Sequence, residues 1–260
     1  MPQLPTITRE FVPTHILLPS IMVPPVKRYV MVYDTETTGL LPKNRKPPLS
    51  ETTTSDPAMP DERSSIEILN QEYPYITQLS YTVYDLQDEK VVECFDSYIQ
   101  VPKEVELSEK ICELTHISRE KCDNGVTIQY ALERFYNSTV RSDVLVAHNA
   151  YFDNTMIRIE CRRNIDTLKN YIEMSKMLYL NNTKPVCTMW AGMRHFKLSK
   201  FPRLSELYEL IFNESVASHN IPLHNALVDT AVCLRCYMYL FHDKKLSNEK
   251  FKQIITTIGL

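Results

Sequence analysis

The hydrophobic and polar positions of the chain first follow strand-like patterns. Tyr29 to Tyr33 is a short continuous apolar run, which is typical of a strand buried on both faces, and Asp34 ends it with a charge. From Tyr75 to Tyr84 two sets of side chains alternate, which predicts a strand with one more polar face. Val91 to Val101 follows a short acidic turn, so we expect it to pair with the preceding strand as a hairpin.

Helical patterns follow the predicted hairpin. They lie around Ser108 to Leu114 and Thr127 to Tyr136, and a second short buried run, Val144 to Ala147, comes after them. Two apolar stripes at helical spacing follow: Phe152, Met156 and Ile159, and then Leu227, Ala231, Leu234 and Met238. Strands come first and then alternate with helices, so the pattern predicts an α/β fold, a mixed sheet with helices packed on it.

The 260 residues allow one large domain or two small ones. Residues 1–27 are rich in proline and predict an irregular N-terminal arm, residues 28–241 a single domain, and residues 242–260 a C-terminal helical tail. Residues 41–72 are dominated by Pro, Ser, Thr, Glu and Asp, a composition that cannot cover a core. We therefore expect a long, disordered surface insertion that interrupts the domain.

Composition and charge narrow the class of protein. An apolar share of 43% and a charged share of 23% are close to globular averages and exclude collagen-like and coiled-coil chains. The net charge of −3 excludes a protein held on nucleic acid by overall basicity, so any such contact must be local. Four glycines leave no room for a glycine-rich dinucleotide fingerprint or a P-loop.

Cysteine usage and hydropathy favour a soluble intracellular protein. The seven cysteines are odd in number and scattered, which indicates reduced thiols and not a secreted disulfide framework. Cys233 and Cys236 have zinc-knuckle spacing but no second pair, so core thiols on a helix are the favoured interpretation. The first 25 residues hold no sustained apolar stretch, so we expect neither a signal peptide nor a membrane span there.

Two acids at the end of the first buried strand are candidates for chemistry. Asp34 and Glu36 have a spacing of two, which places both side chains on the same side of an extended chain. Carboxylates this close repel each other unless they are protonated or neutralised, and a divalent cation is the usual partner. Two solvated acids capping a strand end are an equally good interpretation of this pair alone.

Two further runs combine a histidine, an asparagine and an aspartate. His148-Asn-Ala-Tyr-Phe-Asp153 follows the second buried strand, with Asn149 as a predicted N-cap and Asp153 in the first helical turn, where the helix dipole alone favours an acid. In His224-Asn-Ala-Leu-Val-Asp229, Asn225 is a second predicted cap. His224 and Asp229 would lie about 140° apart on one helix, so convergence needs His224 on the preceding loop.

The two acids of the first strand belong to the run Asp34-Thr35-Glu36-Thr37-Thr38-Gly39-Leu40. This run and the two runs above, in this order, resemble the motifs of the DnaQ-like (DEDDh) 3′-5′ exonucleases, including the epsilon proofreading subunit of DNA polymerase III. Cys187-Thr188-Met189 resembles the strand between the second and third motifs, and the resemblance extends from about Arg28 to Phe241. His116 departs from the family pattern, because Ile117 and not glycine follows it.

The resemblance implies a ribonuclease H-like fold, a five-stranded mixed sheet with helices on both faces and its acids at one edge. It implies two Mg²⁺ or Mn²⁺ ions, held by Asp34, Glu36, Asp153 and Asp229; such oxygen ligands suit these hard cations better than zinc. Asp34, Glu36 and Asp229 would hold the ion that carries the attacking water, with Asp34 and, through water, Asp153 at the leaving-group ion. His224 would be the general base.

The resemblance also assigns substrate contacts. Thr37, Thr38, Gly39 and Leu40 would face the terminal nucleotide, with Asn149 nearby and Phe152 stacked on the base or packed in the core. Five Lys or Arg and no acid between Lys184 and Arg203 fit either a phosphate track or a solvated basic face.

The expected substrate is the 3′ end of single-stranded or frayed DNA, in proofreading, repair or end processing, with a polymerase or another replication protein as the predicted partner. A 3′-5′ exoribonuclease of the same superfamily is the alternative enzyme. From a different class of function comes a non-catalytic module that binds nucleic acid on the same fold.

Overall fold

The computed structural model describes residues 27–43, 45–49, 62–169, 174, 185–219 and 224–260. Their strands are β1 Tyr29–Thr37, β2 Ile76–Asp85, β3 Lys90–Tyr98, β4 Val144–Ala147 and β5 Val186–Cys187. Their α-helices, numbered here from α1 to α9, are Glu62–Glu72, Glu109–Thr115, Arg119–Asp123, Ile128–Thr139, Ala150–Arg163, Thr188–His195, Leu204–Phe212, Ala226–His242 and Asn248–Thr257.

The five strands form one mixed sheet in the order β3-β2-β1-β4-β5. β1 pairs antiparallel with β2 and parallel with β4, and β4 pairs parallel with β5. β2 and β3 form the predicted antiparallel hairpin. The carboxyl ends of β1, β4 and β5 therefore lie at the same edge of the sheet.

Helices cover both faces of the sheet because β1 is apolar on both sides. Val30 and Val32 point into one core, which they share with side chains of α7, α8 and α9. Met31 and Tyr33 point into the other, which contains side chains of α1, α4 and α5. The predicted α/β fold with a five-stranded mixed sheet and helices on both faces is confirmed.

Two strands differ from their predicted form. β1 continues past Asp34 to Thr37, since Asp34 and Glu36 still pair with Ser80 and Gln78 of β2. All ten positions of β2 are buried, so its more polar face is covered and not exposed to solvent. Its polar residues are accommodated by hydrogen bonds: Gln78 and Ser80 donate to Asp96 Oδ1 over 2.7 and 2.5 Å.

The predicted insertion at 41–72 needs a correction at both ends. Residues 62–72 form helix α1, and its Leu69 is fully buried. Leu49 is also buried, and Leu41 packs against the same core. The low average apolar content of the segment gave no sign of these three side chains. The segment therefore contributes to the hydrophobic core. The predicted disorder of its remaining part, residues 50–61, lies outside the described residues, as does the N-terminal arm up to residue 26.

Other predictions concern shorter segments. Thr188 and Met189 begin helix α6 and do not extend the strand, because β5 ends at Cys187. The predicted C-terminal helix is α9, and its Phe251 is buried in the core.

All seven cysteines are free thiols. Among the described residues, we find no helix with the length and apolar character that a membrane crossing requires.

Candidate active site

Asp34 and Glu36 lie on β1, the central strand of the sheet, near its carboxyl end. Their neighbours Tyr33, Thr35 and Thr37 are buried on the opposite side, whereas the two acids are partly exposed. This alternation confirms that a spacing of two places both carboxylates on one side of the strand. The two acids therefore continue the face of Val30 and Val32 beyond the hydrophobic core, at the carboxyl end of β1.

Asp153 reaches the same place from the first turn of α5 and is buried. Its Oδ1 accepts two hydrogen bonds from Thr35, one from the backbone amide over 3.0 Å and one from Oγ1 over 2.8 Å. Thr35 lies between Asp34 and Glu36 in the sequence. This contact ties the second motif to the first across 118 positions of the chain.

Asp229 is held by the start of α8. The predicted cap is present: Asn225 Oδ1 accepts from the amides of Leu227 and Val228 over 3.1 and 3.4 Å. Asp229 lies in the first turn of this helix, and His224 lies before it, exposed and with a φ of 65°. His224 thus occupies the loop position that convergence with Asp229 requires.

Three of these side chains already meet. One ligand atom from each of Glu36, His224 and Asp229 lies within 4.8 Å of the other two. Asp229 Oδ1 is buried and has no hydrogen-bond partner. An unpartnered buried carboxylate oxygen is costly unless something else satisfies it.

The pKa values of all four acids are raised. Burial is the largest cause in every case. Burial and then the charges of Asp153, Asp229 and Glu36 raise the pKa of Asp34 well above its ordinary value. Burial and the charges of Asp229 and Asp153 raise the pKa of Glu36 to about 8.

The other two acids are moderated by hydrogen bonds. Burial raises the pKa of Asp153 to about 7, although its hydrogen bonds from Thr35 lower it. Burial and the charge of Asp153 raise the pKa of Asp229 to about 7, although a hydrogen bond from the backbone amide of His224 lowers it.

This arrangement fits divalent metal ions. Four carboxylates within mutual electrostatic reach repel each other, and one of their oxygens lacks a partner. A divalent cation would relieve the repulsion and satisfy that oxygen. Because the donors are oxygens, with no cysteine among them, the set suits Mg²⁺ or Mn²⁺.

The residues assigned to the substrate surround this cluster. Thr37 is buried and its Oγ1 donates to Gly39 O over 2.6 Å, which shapes the turn after β1. Thr38 is fixed on Tyr75 by two hydrogen bonds, from its amide to Tyr75 O over 2.8 Å and from Tyr75 N to its Oγ1 over 2.9 Å. Leu40 is 84% exposed, so it is not a core residue.

The second motif differs from its prediction at Asn149. This residue occupies the N-cap position, but its φ is 64° and its side chain makes no capping hydrogen bond. The left-handed backbone turns the amide side chain away from the helix, where it is exposed. Phe152 is partly buried against the core that contains Met31.

His148 has a structural role, because both nitrogens of its ring contact other segments of the chain. Its Nδ1 lies 3.0 Å from Thr188 Oγ1 and its Nε2 lies 3.1 Å from Pro202 O. Burial lowers the pKa of His148 to about 4, so the ring is neutral at neutral pH. These contacts fix the carboxyl end of β4 to the first residue of α6 and to the loop after that helix.

Sequence reasoning missed two residues that position the acids. Thr35 holds Asp153, as described above. Gln78 pairs with Glu36 in the sheet and accepts from the Ala226 amide over 3.2 Å, which anchors the first turn of the helix that carries Asp229. No local pattern marked either residue. Thr35 lies beyond the apolar run Tyr29–Tyr33 that predicted β1, and Gln78 lies among the alternating polar positions of the predicted β2.

An open cleft of about 1170 Å³ lies beside Thr38 and away from the four acids. Its lining includes a buried ion pair, Arg163 Nη1 to Glu160 Oε1 over 2.8 Å. Arg163 also donates to the carbonyls of Leu69, Tyr73 and Pro74, next to Tyr75. The ion pair thus holds the end of α1 and the segment on which Thr38 rests.

Comparison with known protein families gives one match. A family model described as exonuclease, of the RNase T type, matches residues 31–237. This range includes all three motifs and all five strands apart from the first two residues of β1. No curated protein sequence matches the chain.

Solved structures share the fold at low sequence identity. The nuclease domain of 3′hExo bound to rAMP, described as a DEDDh family member, aligns with a TM-score of 0.57 and 14% identity over 86% of this chain and 96% of that one. A 3′-exonuclease that recognises the 3′ end of a histone mRNA stem-loop has a TM-score of 0.56 and 13% identity, over 85% and 66%.

Exonuclease I of E. coli in complex with a dA16 oligonucleotide aligns with a TM-score of 0.52 and 13% identity, over 88% of this chain and 43% of that one. The chain therefore spans less than two thirds of the length of two of these three structures.

Proposed function

Because the chain belongs to the RNase T family of exonucleases, metal-dependent enzymes that hydrolyse phosphodiester bonds from 3′ ends, we propose that it removes nucleotides from single-stranded or frayed 3′ ends of DNA. The observation that carries the proposal is the convergence of Glu36, His224 and Asp229 within 4.8 Å beside Asp34 and Asp153. Five residues from three distant motifs meet at one sheet edge. This set would provide both metal ligands and a proton acceptor.

Asp34, Glu36, Asp153 and Asp229 would hold two Mg²⁺ or Mn²⁺ ions. When bound, such ions offset the charge that develops on the phosphate and on the attacking and leaving oxygens. The protein's part is to keep the four carboxylates in place. Thr35 does this for Asp153 through two hydrogen bonds, and Asn225 does it for Asp229 by capping α8.

His224 is the proposed general base. It is exposed on the loop before α8, so its imidazole is free to reach the water that attacks the phosphate. A positioned imidazole takes up a proton near neutral pH. The hydrogen bond from its backbone amide to Asp229 lowers the pKa of that acid.

We propose that the turn from Thr37 to Leu40 binds the terminal nucleotide. Thr38 is rigidly paired with Tyr75, and the exposed Leu40 side chain is available to contact a base. Asn149 and Phe152 would approach from the start of α5. Stacking and backbone contacts tolerate any base, which fits an enzyme that removes nucleotides without sequence preference.

RNA is the alternative substrate. The nuclease domain of 3′hExo carries rAMP and the histone mRNA 3′-exonuclease recognises an RNA stem-loop, whereas Exonuclease I was solved with DNA. Discrimination would require a contact to the 2′-hydroxyl. A non-catalytic binding module is disfavoured because all four acids and His224 are present at the site.

The test is hydrolysis of 5′-labelled DNA and RNA strands of matched sequence in Mg²⁺, in Mn²⁺ and in excess chelator. We expect stepwise shortening from the 3′ end, faster on DNA, and no product with chelator. Faster hydrolysis of RNA would establish the alternative enzyme. Absence of metal-stimulated hydrolysis on both strands would overturn the enzymatic proposal.

Proofreading, repair and end processing make different demands on the 3′ end. A proofreading enzyme should act faster on a mismatched than on a paired end, because a mismatch frays more easily. The same labelled strand, tested single-stranded, paired and mismatched, separates these roles. Binding to a replicative polymerase is a further proposal that co-purification with the polymerase tests.

A further inference from the structure

Three aromatic side chains lie exposed beside the candidate site. Trp190 on α6 is 53% exposed, Phe201 on the following loop 44%, and Tyr151 in the first turn of α5 69%. The rings of Trp190 and Phe201 are 4.9 Å apart and meet edge to face. We name these three side chains the aromatic platform.

The aromatic platform borders Asn149, one of the residues assigned to the substrate. Tyr151 and Trp190 line a shared cavity of about 240 Å³, together with Asn149. Trp190 belongs to the first turn after β5, and β5 ends at the same sheet edge as β1 and β4. Two strand spacings, about 9 to 10 Å, separate β5 from β1, which carries Asp34 and Glu36.

Four cations lie on the segment that carries Trp190 and Phe201. Arg194, Lys197, Lys200 and Arg203 are exposed, and residues 185–203 contain no Asp or Glu. Lys200 Nζ is paired with Glu206 Oε1 over 3.1 Å. Arg194 lies four positions after Trp190 on α6, so the two side chains are neighbours on one helix face. Exposed aromatic rings interleaved with cations are the combination that binds single-stranded nucleic acid, through base stacking and phosphate contacts.

We propose that the aromatic platform is a second nucleic-acid subsite, which stacks bases of the single strand upstream of the 3′-terminal nucleotide. The inference rests on the proposed function, because it takes the scissile end to lie over the acids. The Thr37–Leu40 turn would hold the terminal nucleotide on one side of the acids, and the platform would hold the strand on the other. Longer strands would then bind better than dinucleotides.

Trp190 is the single tryptophan of the chain, so its fluorescence reports on the platform alone. The full-length protein is titrated in EDTA, which prevents turnover, with an oligothymidylate of about eight nucleotides and separately with a thymidine dinucleotide. We expect saturable quenching by the octamer, weakened as salt is raised, and little quenching by the dinucleotide. An unchanged emission spectrum with the octamer would overturn the subsite.

The second measurement separates this inference from the proposed function. Trp190→Ala should raise KM for the octamer by about 5- to 150-fold, leave hydrolysis of the dinucleotide unchanged, and be partly rescued in Trp190→Phe. Phe241→Ala is the matched control, because Phe241 is 46% exposed but lies at the far end of α8 from Asp229. Equal KM changes on both substrates, or none, would refute the platform.

The two proposals fail in different ways. Hydrolysis of the octamer in Mg²⁺ without quenching in EDTA would leave the exonuclease standing and remove the platform. Quenching without hydrolysis in Mg²⁺ would support the platform as a nucleic-acid site and remove the enzymatic proposal.

Discussion

Thr35 donates both its backbone amide and its hydroxyl to the same oxygen of Asp153, over 3.0 and 2.8 Å. Both residues are buried, so no solvent competes for these hydrogen bonds. The β1 residue between two of the acids thereby sets the orientation of a third acid on α5. A proposed metal ligand held this way depends on its partner for its geometry.

Thr35→Val should therefore weaken Mg²⁺ binding or lower activity by about 10- to 100-fold, the usual effect of removing a partner of a metal ligand. The valine keeps the shape of threonine but cannot donate through its side chain. Isothermal titration with Mg²⁺ and single-turnover hydrolysis measure the two effects. Thr35→Ser, which keeps the hydroxyl, is the control and should stay near the parent values.

Asp34→Asn and Asp229→Asn should each abolish turnover without unfolding the protein. Because each change removes one of four mutually repelling carboxylates, the thermal midpoint in EDTA should hold or rise. Circular dichroism melting and the labelled-strand assay check both outcomes. Asp166→Asn, an exposed acid on the surface, is the control. Undiminished hydrolysis in either site variant would refute the metal assignment.

The metal-free protein should lose stability as pH rises through the neutral range. The folded pKa values of Glu36, Asp153 and Asp229 are raised to between about 7 and 8, so the folded state keeps protons that the unfolded state has released. Stability contributed this way is present at low pH and lost as pH rises through the folded pKa values.

Urea unfolding in EDTA at about pH 6.5 and 7.5 measures this effect. His148, whose folded pKa is lowered to about 4, opposes it by only about 0.4 kcal/mol over this range, because half of the unfolded imidazoles have already lost their proton at pH 6.5. We expect the free energy of unfolding to fall by at least about 1.4 kcal/mol, the equivalent of one pKa unit. Asp229→Asn should show a smaller fall, and saturating Mg²⁺ should remove it. A rise in stability over this range would contradict the raised pKa values.

His224→Ala should reduce the single-turnover rate by roughly 10²- to 10⁴-fold while Mg²⁺ affinity changes little, if His224 acts as the base. The structure places His224 close enough to Glu36 and Asp229 to serve as a ligand, so metal binding is the decisive readout. A parallel loss of Mg²⁺ affinity would identify it as a ligand instead. His242→Ala, a histidine that contacts Tyr237 at the other end of α8, is the control.

Arg163→Met should destabilise the fold by about 3 to 5 kcal/mol, because it leaves Glu160 buried without its cation. It also removes the donors that hold the carbonyls of Leu69, Tyr73 and Pro74. The double change Glu160→Leu with Arg163→Met should cost less than the single one. Urea unfolding of the four proteins in this cycle gives the coupling energy, and a double variant no more stable than Arg163→Met would contradict the ion-pair interpretation.

The sequence by itself determined the elements that carry the acids. The apolar run at Tyr29–Tyr33 marked the central strand, and Val144–Ala147 marked β4, because strands covered on both faces are continuously apolar. The spacing of Asp34 and Glu36 placed both on one side, and the Asn225 cap located the start of α8. Each of these inferences depends on residues a few positions apart, within reach of local backbone geometry.

Only the tertiary structure decided which distant residues serve the site. Thr35 and Asp153 are 118 positions apart, and Gln78 and Ala226 are 148 apart, so no local pattern links them. Helix α1 could not be predicted from its polar segment. Its place in the core depends on a few side chains such as Leu69, and on the hydrogen bond that Arg163 donates to the Leu69 carbonyl. Contacts of this kind arise when strands and helices pack, and side-chain partners across the sheet are chosen by that packing and not by the neighbouring sequence.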